Sequence, residues 1–177
     1  MSSSLSSVML KPGYQLRQGA GLDRALLVKF MQRTYQELYP SASFAHLAQT
    51  VEQYFSAETP LWWVDRVDQA CPDQQVNDQQ VTPLPNPIGC VWLGMAIDQV
   101  TGWRHPHIFL LYVDPAFRRQ GIGSALMQQV EAWARQRGDR QIGLQVFQQN
   151  QPARQLYEKL GYHTQSMWMV KSIGSAS

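Results

Sequence analysis

The stretch RRQGIGSALM, residues 118–127, joins two arginines, a glutamine and two glycines to the start of an apolar run. It follows the apolar segment HIFLLYV at 107–113, which predicts a strand, and precedes a helical pattern that runs from Ile122 to Gly138. A strand, a tight turn and a helix start can aim several main-chain N–H groups at one anion, and the helix dipole favours that charge. A solvated turn that simply begins a helix is the alternative, and spacing alone leaves both open.

Two common nucleotide-binding motifs are excluded in this stretch. A P-loop has a Lys followed by Ser or Thr after its second glycine, and GIGSA at 121–125 has no such Lys. A dinucleotide-binding fingerprint has Gly or Ala at the last position of GxGxxG, which is Leu126 here, and no acidic residue follows a second strand about twenty residues on. Any anion bound here is therefore held by a different kind of turn.

Outward from this stretch, hydrophobic periodicity predicts a series of strands and helices. Strands are predicted at 13–17, 61–67, 88–97, 107–113 and 142–147, helices at 22–38, 43–55, 122–138 and 150–160, and one long or two short strands at 162–171. The order β-α-α-β-β-β-α-β-α-β places the chain in the mixed α/β (α+β) class.

The chain has 177 residues, of which 44% are hydrophobic and 16% charged, and this suffices for one globular domain. We expect that single domain at 13–172, with flexible ends at 1–12 and 173–177. The Gln- and Pro-rich stretch 68–87 predicts a loop insertion, because its prolines forbid a central strand. A lid over a substrate site is the other interpretation of that stretch.

Charge and cysteine content indicate the compartment and the class of partner. The 15 Lys and Arg are spread along the chain against 13 Asp and Glu, which argues against a nucleic-acid partner. No apolar window approaches the ~18 residues of a membrane span, so no membrane partner is expected. Cys71 and Cys90 have neither CxxC nor metal-ligand spacing, which is typical of a reducing cytoplasm.

The segment LLYVDPAFRRQGIGSALMQQVEAWA at 110–134, followed by LQVFQQNQPARQLYEKLGY at 144–162, resembles the signature region of the GCN5-related N-acetyltransferase (GNAT) superfamily. It combines Arg118-x-x-Gly121-x-Gly123 with a downstream Asn150-x-x-Ala153-x-x-x-Tyr157. The resemblance implies a twisted, mostly antiparallel sheet of six to seven strands flanked by about four helices. It also implies acetyl-CoA as the acyl donor, with no metal.

The resemblance also assigns the cofactor-binding residues. The pantetheine arm is expected on the edge of the fourth strand, where it parts from the fifth, with a bulge nearby that frees an N–H for the acetyl carbonyl. The pyrophosphate is expected on the turn and helix start. The residues implied are Leu111, Tyr112, Val113, Arg118, Arg119, Gln120, Gly121, Ile122, Gly123, Ser124, Asn150, Ala153 and Tyr157.

The implied chemistry is transfer of an acetyl group from the thioester to a primary amine of a small molecule or peptide by direct attack. Tyr157 matches the family's general-acid position, where it protonates the departing CoA thiolate. A core aromatic at helical spacing is the alternative for Tyr157. Asn150 is expected to cap a helix and to touch the pantetheine. A non-catalytic acetyl-CoA sensor or regulatory module is the alternative function.

The general base is not evident from the sequence. Related enzymes often carry a Glu five residues before the motif Asn, where this chain has Gln145, and an amide takes no proton at neutral pH. Glu37 is the first substitute, because its helical segment borders the acceptor site in this family, and Asp65 is the second. His105 and His107, which flank a Pro before the fourth strand, are further candidates for the base, and a structural or exposed place is the other interpretation of both.

The acceptor and the oligomeric state are left open. Four tryptophans lie in the half that shapes the acceptor pocket in such enzymes, and a place in the core explains them equally well: Trp62, Trp63, Trp92 and Trp103. The tail after Gly161 is short, so the sheet edge is left for a second copy to cover, and a homodimer is a hypothesis.

Overall fold

The structure is a computed structural model that describes residues 10–56, 58–67 and 87–174. The chain falls into two compact units, Met1–Gln145 and Val146–Ser177. Most of the expected flexible start, nearly all of the expected insertion at 68–87, and Cys71 lie outside the described residues. The predicted domain bounds therefore stay predictions.

The helices and strands follow the predicted order as far as the fourth helix. The first unit contains β1 (Tyr14–Gln18), α1 (Arg24–Leu38), α2 (His46–Tyr54), β2 (Leu61–Arg66), β3 (Pro87–Ile97), β4 (Arg104–Val113), α3 (Ile122–Arg137) and β5 (Gly143–Leu144), and the second contains α4 (Gln151–Lys159). α3 ends where predicted, because Gly138 takes a left-handed φ of 79° that a side chain would disfavour.

The strands form one sheet in the order β1-β2-β3-β4-β5, in which β1 to β4 are antiparallel neighbours and β5 lies parallel to β4. The described residues contain four α-helices, three in the first unit and one in the second, and the predicted mixed fold class is confirmed. Within the described residues the sheet has five strands, where six to seven were predicted.

The difference in strand number lies at the end of the chain. β5 has two residues instead of the predicted six, and the stretch 162–171 forms no strand. Its side chains Met167, Trp168, Met169 and Val170 are about four-fifths exposed. Alternation shows that a segment can be extended, but a strand also needs a neighbour to pair with its backbone, and sequence alone does not supply that neighbour.

Helices cover both faces of the sheet. α1 and α2 pack on the face that carries Trp63, Trp92 and Tyr112, while α3 contacts β3 and β4. Trp63 and Trp92 are completely buried, and Trp62 is buried beside Trp133 of α3. Three of the four tryptophans are therefore core residues. Within the described residues, no helix has both the length and the apolar character needed to cross a membrane.

Candidate functional site

The turn between β4 and α3 presents main-chain N–H groups. Arg119 and Gly121 adopt left-handed φ angles of 63° and 86°. The first α-helical hydrogen bond of α3 runs from the N–H of Ala125 to the carbonyl of Gly121, at 2.9 Å. The preceding N–H groups, those of Ile122, Gly123 and Ser124, have no helical acceptor, because nothing precedes them in the helix. This is the arrangement that binds anions at a helix start.

The side chain of Arg118 ties this turn to the end of β4 and to α1. Its Nε donates to the carbonyl of Val113 at 2.8 Å, and its Nη2 donates to both carboxylate oxygens of Glu37, at 2.7 and 2.8 Å. The guanidinium also lies 5.8 Å from the ring centre of Tyr112. The guanidinium of Arg118 is thus engaged by the protein itself, through Glu37 and the carbonyl of Val113.

Gln120 fixes the same turn to the far edge of the sheet. Its Oε1 accepts a hydrogen bond of 2.7 Å from the hydroxyl of Tyr14 in β1. The Tyr14 ring meets that of Phe117 edge to face, with centroids 6.5 Å apart. Because Arg118 and Gln120 are both tied back, the turn keeps its shape without a ligand, and a bound anion would cost little ordering entropy.

The edge of β4 that faces β5 is open beyond Ile108. The two strands pair at only two positions, His107 with Gly143 and Ile108 with Leu144, within the described residues of this unit. On the other edge, the N–H of Asp114 donates to the carbonyl oxygen of Ile88 in β3. In an antiparallel ladder every second residue points its main-chain N–H and C=O at the neighbouring strand, so those of Tyr112 also point at β3.

Leu111 and Val113 consequently direct their main-chain groups to the open edge. The carbonyl of Val113 is used by Arg118. β5 does not pair with the N–H of Val113 or with either main-chain group of Leu111 within the described residues of this unit. An extended segment can add to such an edge as a further strand would. Of the three residues predicted here, two present their backbone to the edge, and Tyr112 packs its buried ring in the core against Phe30.

β4 contains a bulge at Phe109. Trp92 of β3 lies opposite Leu110, while the next residue, Leu93, lies opposite Ile108, so Phe109 has no partner across the ladder. The bulge falls two residues before Leu111, in the region where one was expected. Because an extra residue reverses the alternation, the preceding residues of β4 change faces, and His107 comes onto the α1 and α2 side.

The two carboxylates considered as bases are both held in ion pairs. Glu37 receives the paired contact from Arg118, and Asp65 accepts a 2.8 Å hydrogen bond from the Nε of Arg17 in β1. Asp65 is also largely buried, with 14% of its side chain exposed. The other carboxylate oxygen of Asp65, Oδ1, is buried and has no hydrogen-bond partner among the described residues. Glu37 as base stays a prediction.

The second unit contains α4 and its motif residues. Asn150 caps α4 as predicted, with its Oδ1 accepting from the N–H of Ala153 at 3.3 Å. Tyr157 is buried and lies 6.0 Å from Tyr162, ring centre to ring centre. Burial raises the pKa of Tyr157 to about 12, so the phenol keeps its proton throughout the physiological range.

Sequence reasoning missed an aromatic cluster beside the bulge. The ring of Phe109 lies 5.0 Å from Trp92, 5.7 Å from His107 and 5.8 Å from Tyr54 of α2, between ring centres. Simple alternation along β4 assigns Phe109 to the opposite face. The sequence feature that indicates the true position of the Phe109 ring is Gly94, because a Cβ at that position would overlap the ring.

Comparison with known proteins relates the chain to acetyltransferases. A model of the acetyltransferase (GNAT) family matches residues 26–162. The thialysine N-epsilon-acetyltransferase of Bos taurus is 36% identical over 73 residues, which cover 40% of this chain and 43% of the relative. Aminoglycoside N(6')-acetyltransferase type 1 of Acinetobacter baumannii is 33% identical over 66 residues, covering 36% and 45% respectively. The match thus spans less than half of either relative.

A solved structure gives the same fold. The chain aligns with a protein from Clostridium acetobutylicum that is named a predicted acetyltransferase and was solved with acetyl-CoA, at a TM-score of 0.67 and 16% identity. The alignment covers 90% of this chain and 96% of that one. At this level of identity, the likeness concerns the fold.

Proposed function

Because this chain belongs to the acetyltransferase (GNAT) family, we propose that it transfers the acetyl group of acetyl-CoA to a primary amine of a small molecule or peptide. The observation that carries the proposal is the preformed main-chain turn between β4 and α3, next to the open edge of β4. The two features suit the two chemically different parts of one ligand, a pyrophosphate and an amide-bearing arm.

The pyrophosphate is assigned to the turn. The N–H groups of Ile122, Gly123 and Ser124 point out of the helix start, and the left-handed Arg119 and Gly121 turn the chain toward it. The exposed Arg119 adds a positive charge close to this anion site. The absence of a Cβ at Gly121 permits the required φ and keeps the approach of a phosphate clear.

The pantetheine arm is assigned to the open edge of β4. Its amides pair with the main-chain groups of Leu111 and Val113, as an added strand does. This pairing leads the thioester to the bulge at Phe109, where the interrupted ladder leaves main-chain groups without a strand partner. An N–H at that point can stabilise the oxyanion that forms on the acetyl carbonyl.

Tyr157 is assigned as the general acid that protonates the CoA thiolate. The assignment rests on its place in the Asn150-x-x-Ala153-x-x-x-Tyr157 motif. Its raised pKa keeps the phenol protonated at pH 7, so a proton is present to transfer. Asn150 and Ala153 are assigned to the cofactor on the same motif.

The acceptor is assigned by class. The relatives named above act on thialysine and on aminoglycosides, and both are primary amines that are mostly protonated at neutral pH. We propose such an alkylamine as the acceptor. The aromatic cluster beside the bulge suits its uncharged carbon frame or its cationic head.

The experiment that tests the function measures thiol release from acetyl-CoA with a panel of thialysine, an aminoglycoside, spermidine and a short peptide. Turnover with at least one amine, together with acetyl-CoA binding by calorimetry, supports the proposal. Binding without turnover on any amine indicates the acetyl-CoA sensor, and absence of binding contradicts both.

We also propose that two copies of the chain associate through the end of the second unit. Met167, Trp168, Met169 and Val170 form an exposed apolar run, which a second copy is able to cover. Light scattering of the wild type and of Trp168→Ser tests this. A dimer that the substitution weakens is expected, and a monomer at every working concentration contradicts it.

A further inference from the structure

A base is needed because the acceptor amine arrives with a proton that blocks its attack. An alkylammonium with a pKa near ~10.4 is neutral in only about one molecule in a few thousand at pH 7. The carboxylates of Glu37 and Asp65 are held by arginines, and Gln145 takes no proton. The remaining candidates, His105 and His107, lie on β4 beside the bulge.

His107 lies two residues before Phe109. It is opposite Gly94 on β3 and opposite Gly143 on β5, so neither neighbouring strand places a side chain beside it. Its imidazole is half-buried and, among the described residues, forms no hydrogen bond. A ring nitrogen is therefore left with its lone pair uncommitted.

The position of the His107 ring is fixed by packing. A Cβ on Gly143 would lie 3.1 Å from the Nδ1 of His107 and 2.8 Å from the Cε1 of His105. The Nδ1 of His105 lies 2.9 Å from the carbonyl of Pro106, to which it can donate. On the other side, the Phe109 ring fills the place beside Gly94. The imidazole is thus confined between the bulge and β5.

We propose that His107 is the general base that removes the proton from the acceptor amine. The inference rests on the proposed function, because it names the base for that reaction. His107 takes one proton from the ammonium, and the neutral nitrogen then forms a bond to the acetyl carbon. As the C–S bond breaks, the nitrogen loses its second proton to solvent. The thiolate takes a proton from its general acid, assigned above to Tyr157, which regains one from solvent. His107 returns its proton to solvent.

The surroundings of His107 favour its neutral form. Burial, and secondarily the charge of His105, hold the pKa of His107 below its ordinary value of 6.5. Among the described residues, His105 is the titratable group that acts on it; Gly94 of β3 and Gly143 of β5 carry no charge, and Phe109 separates it from the Tyr54 of α2. The imidazole is consequently ready to accept a proton at pH 7.

The test compares the wild type with His107→Gln, using as acceptor the alkylamine of the panel that the wild type acetylates fastest. We expect kcat/KM to fall ~10²-fold at pH 7, in the range that loss of a general base produces. The deficit shrinks as the pH rises toward the pKa of the amine, since the free amine then needs no base. Acetyl-CoA affinity stays unchanged.

Two further variants control the comparison. His163→Gln replaces an exposed histidine of the second unit and is expected to retain wild-type rates. His107→Ala is expected to recover activity when imidazole is added, because the flanking glycines leave room for it. Such rescue excludes a merely structural role for the ring.

Equal rates for wild type and His107→Gln at pH 7, or a deficit that stays constant with pH, overturn the assignment of the base. Both outcomes leave the proposed function intact. A wild type that binds acetyl-CoA and acetylates no amine contradicts the proposed function, and the base assignment falls with it.

Discussion

Gly143 of β5 and His107 of β4 lie opposite one another, and the Nδ1 of His107 occupies the space just 3.1 Å from where a Cβ of Gly143 would be. The backbone of Gly143 does not have a left-handed φ, so the glycine is not needed there for a turn. Its lack of a side chain instead leaves space for the rings of His105 and His107. The size of the side chain at position 143 therefore controls the position of the imidazole.

The first prediction concerns this contact. Gly143→Ala is expected to push the rings of His105 and His107 aside and to lower kcat on the alkylamine by ~10-fold or more, while leaving acetyl-CoA affinity within about twofold. Gly21→Ala is the matched control, because a Cβ there meets nothing within 4 Å. A Gly143→Ala enzyme with wild-type kcat would contradict the packing argument.

The ion pair between Glu37 and Arg118 gives a second prediction. If it braces the turn, Glu37→Gln and Arg118→Ala both raise the Kd for acetyl-CoA several-fold and lower stability by no more than ~1 kcal/mol, since the pair is partly exposed. Calorimetric titration with acetyl-CoA measures the effect. A loss of kcat in Glu37→Gln with unchanged acetyl-CoA affinity would instead identify Glu37 as the base.

Gly121 gives a third prediction. Its φ of 86° is strained for any residue with a Cβ, and most of all for a β-branched one. Gly121→Val is expected to distort the turn and to weaken acetyl-CoA binding ~10-fold or more. Gly174→Val, at an exposed glycine with open space around it, is the control. Unchanged affinity in Gly121→Val would place the pyrophosphate elsewhere.

Tyr157 is tested by removing its hydroxyl alone. Tyr157→Phe is expected to lower kcat ~10²-fold with little change in KM, because the lost proton donor acts on the leaving thiolate. Tyr39→Phe serves as the control, since Tyr39 is exposed and lies outside the residues assigned to the cofactor and the acceptor. Steady-state kinetics with full activity in Tyr157→Phe would return that residue to a purely structural role.

The pH dependence of stability follows from His107. Its pKa is lowered on folding, so between that value and 6.5 the unfolded chain binds more protons. The stability that the neutral His107 imidazole adds to the folded state is fully present above pH 6.5. It is lost as the pH falls from 6.5 through the lowered pKa of His107. Urea unfolding at pH 7.5 and pH 5 is expected to show a smaller acid loss of stability in His107→Gln than in the wild type. An equal loss in both proteins would contradict the lowered pKa.

The sequence by itself predicted most of the local structure and part of the site. Periodicity located α1 and α3, and Gly138 was correctly predicted to close α3, because local hydrogen bonding and glycine's left-handed φ determine such features. Motif spacing likewise selected the turn around Gly121. These properties depend on neighbours in the chain.

What the tertiary structure decided depends on partners that are distant in sequence. Glu37 lies 81 residues from Arg118, and only folding shows that the predicted base holds the predicted phosphate ligand. The extra residue at Phe109 becomes visible only in the register with β3, and it is this register that moves His107 to the α1 and α2 side. Side chains of a strand alternate between the two faces of the sheet, so a single unpaired residue moves every preceding side chain to the opposite face. Sequence alone does not reveal which residue is left unpaired.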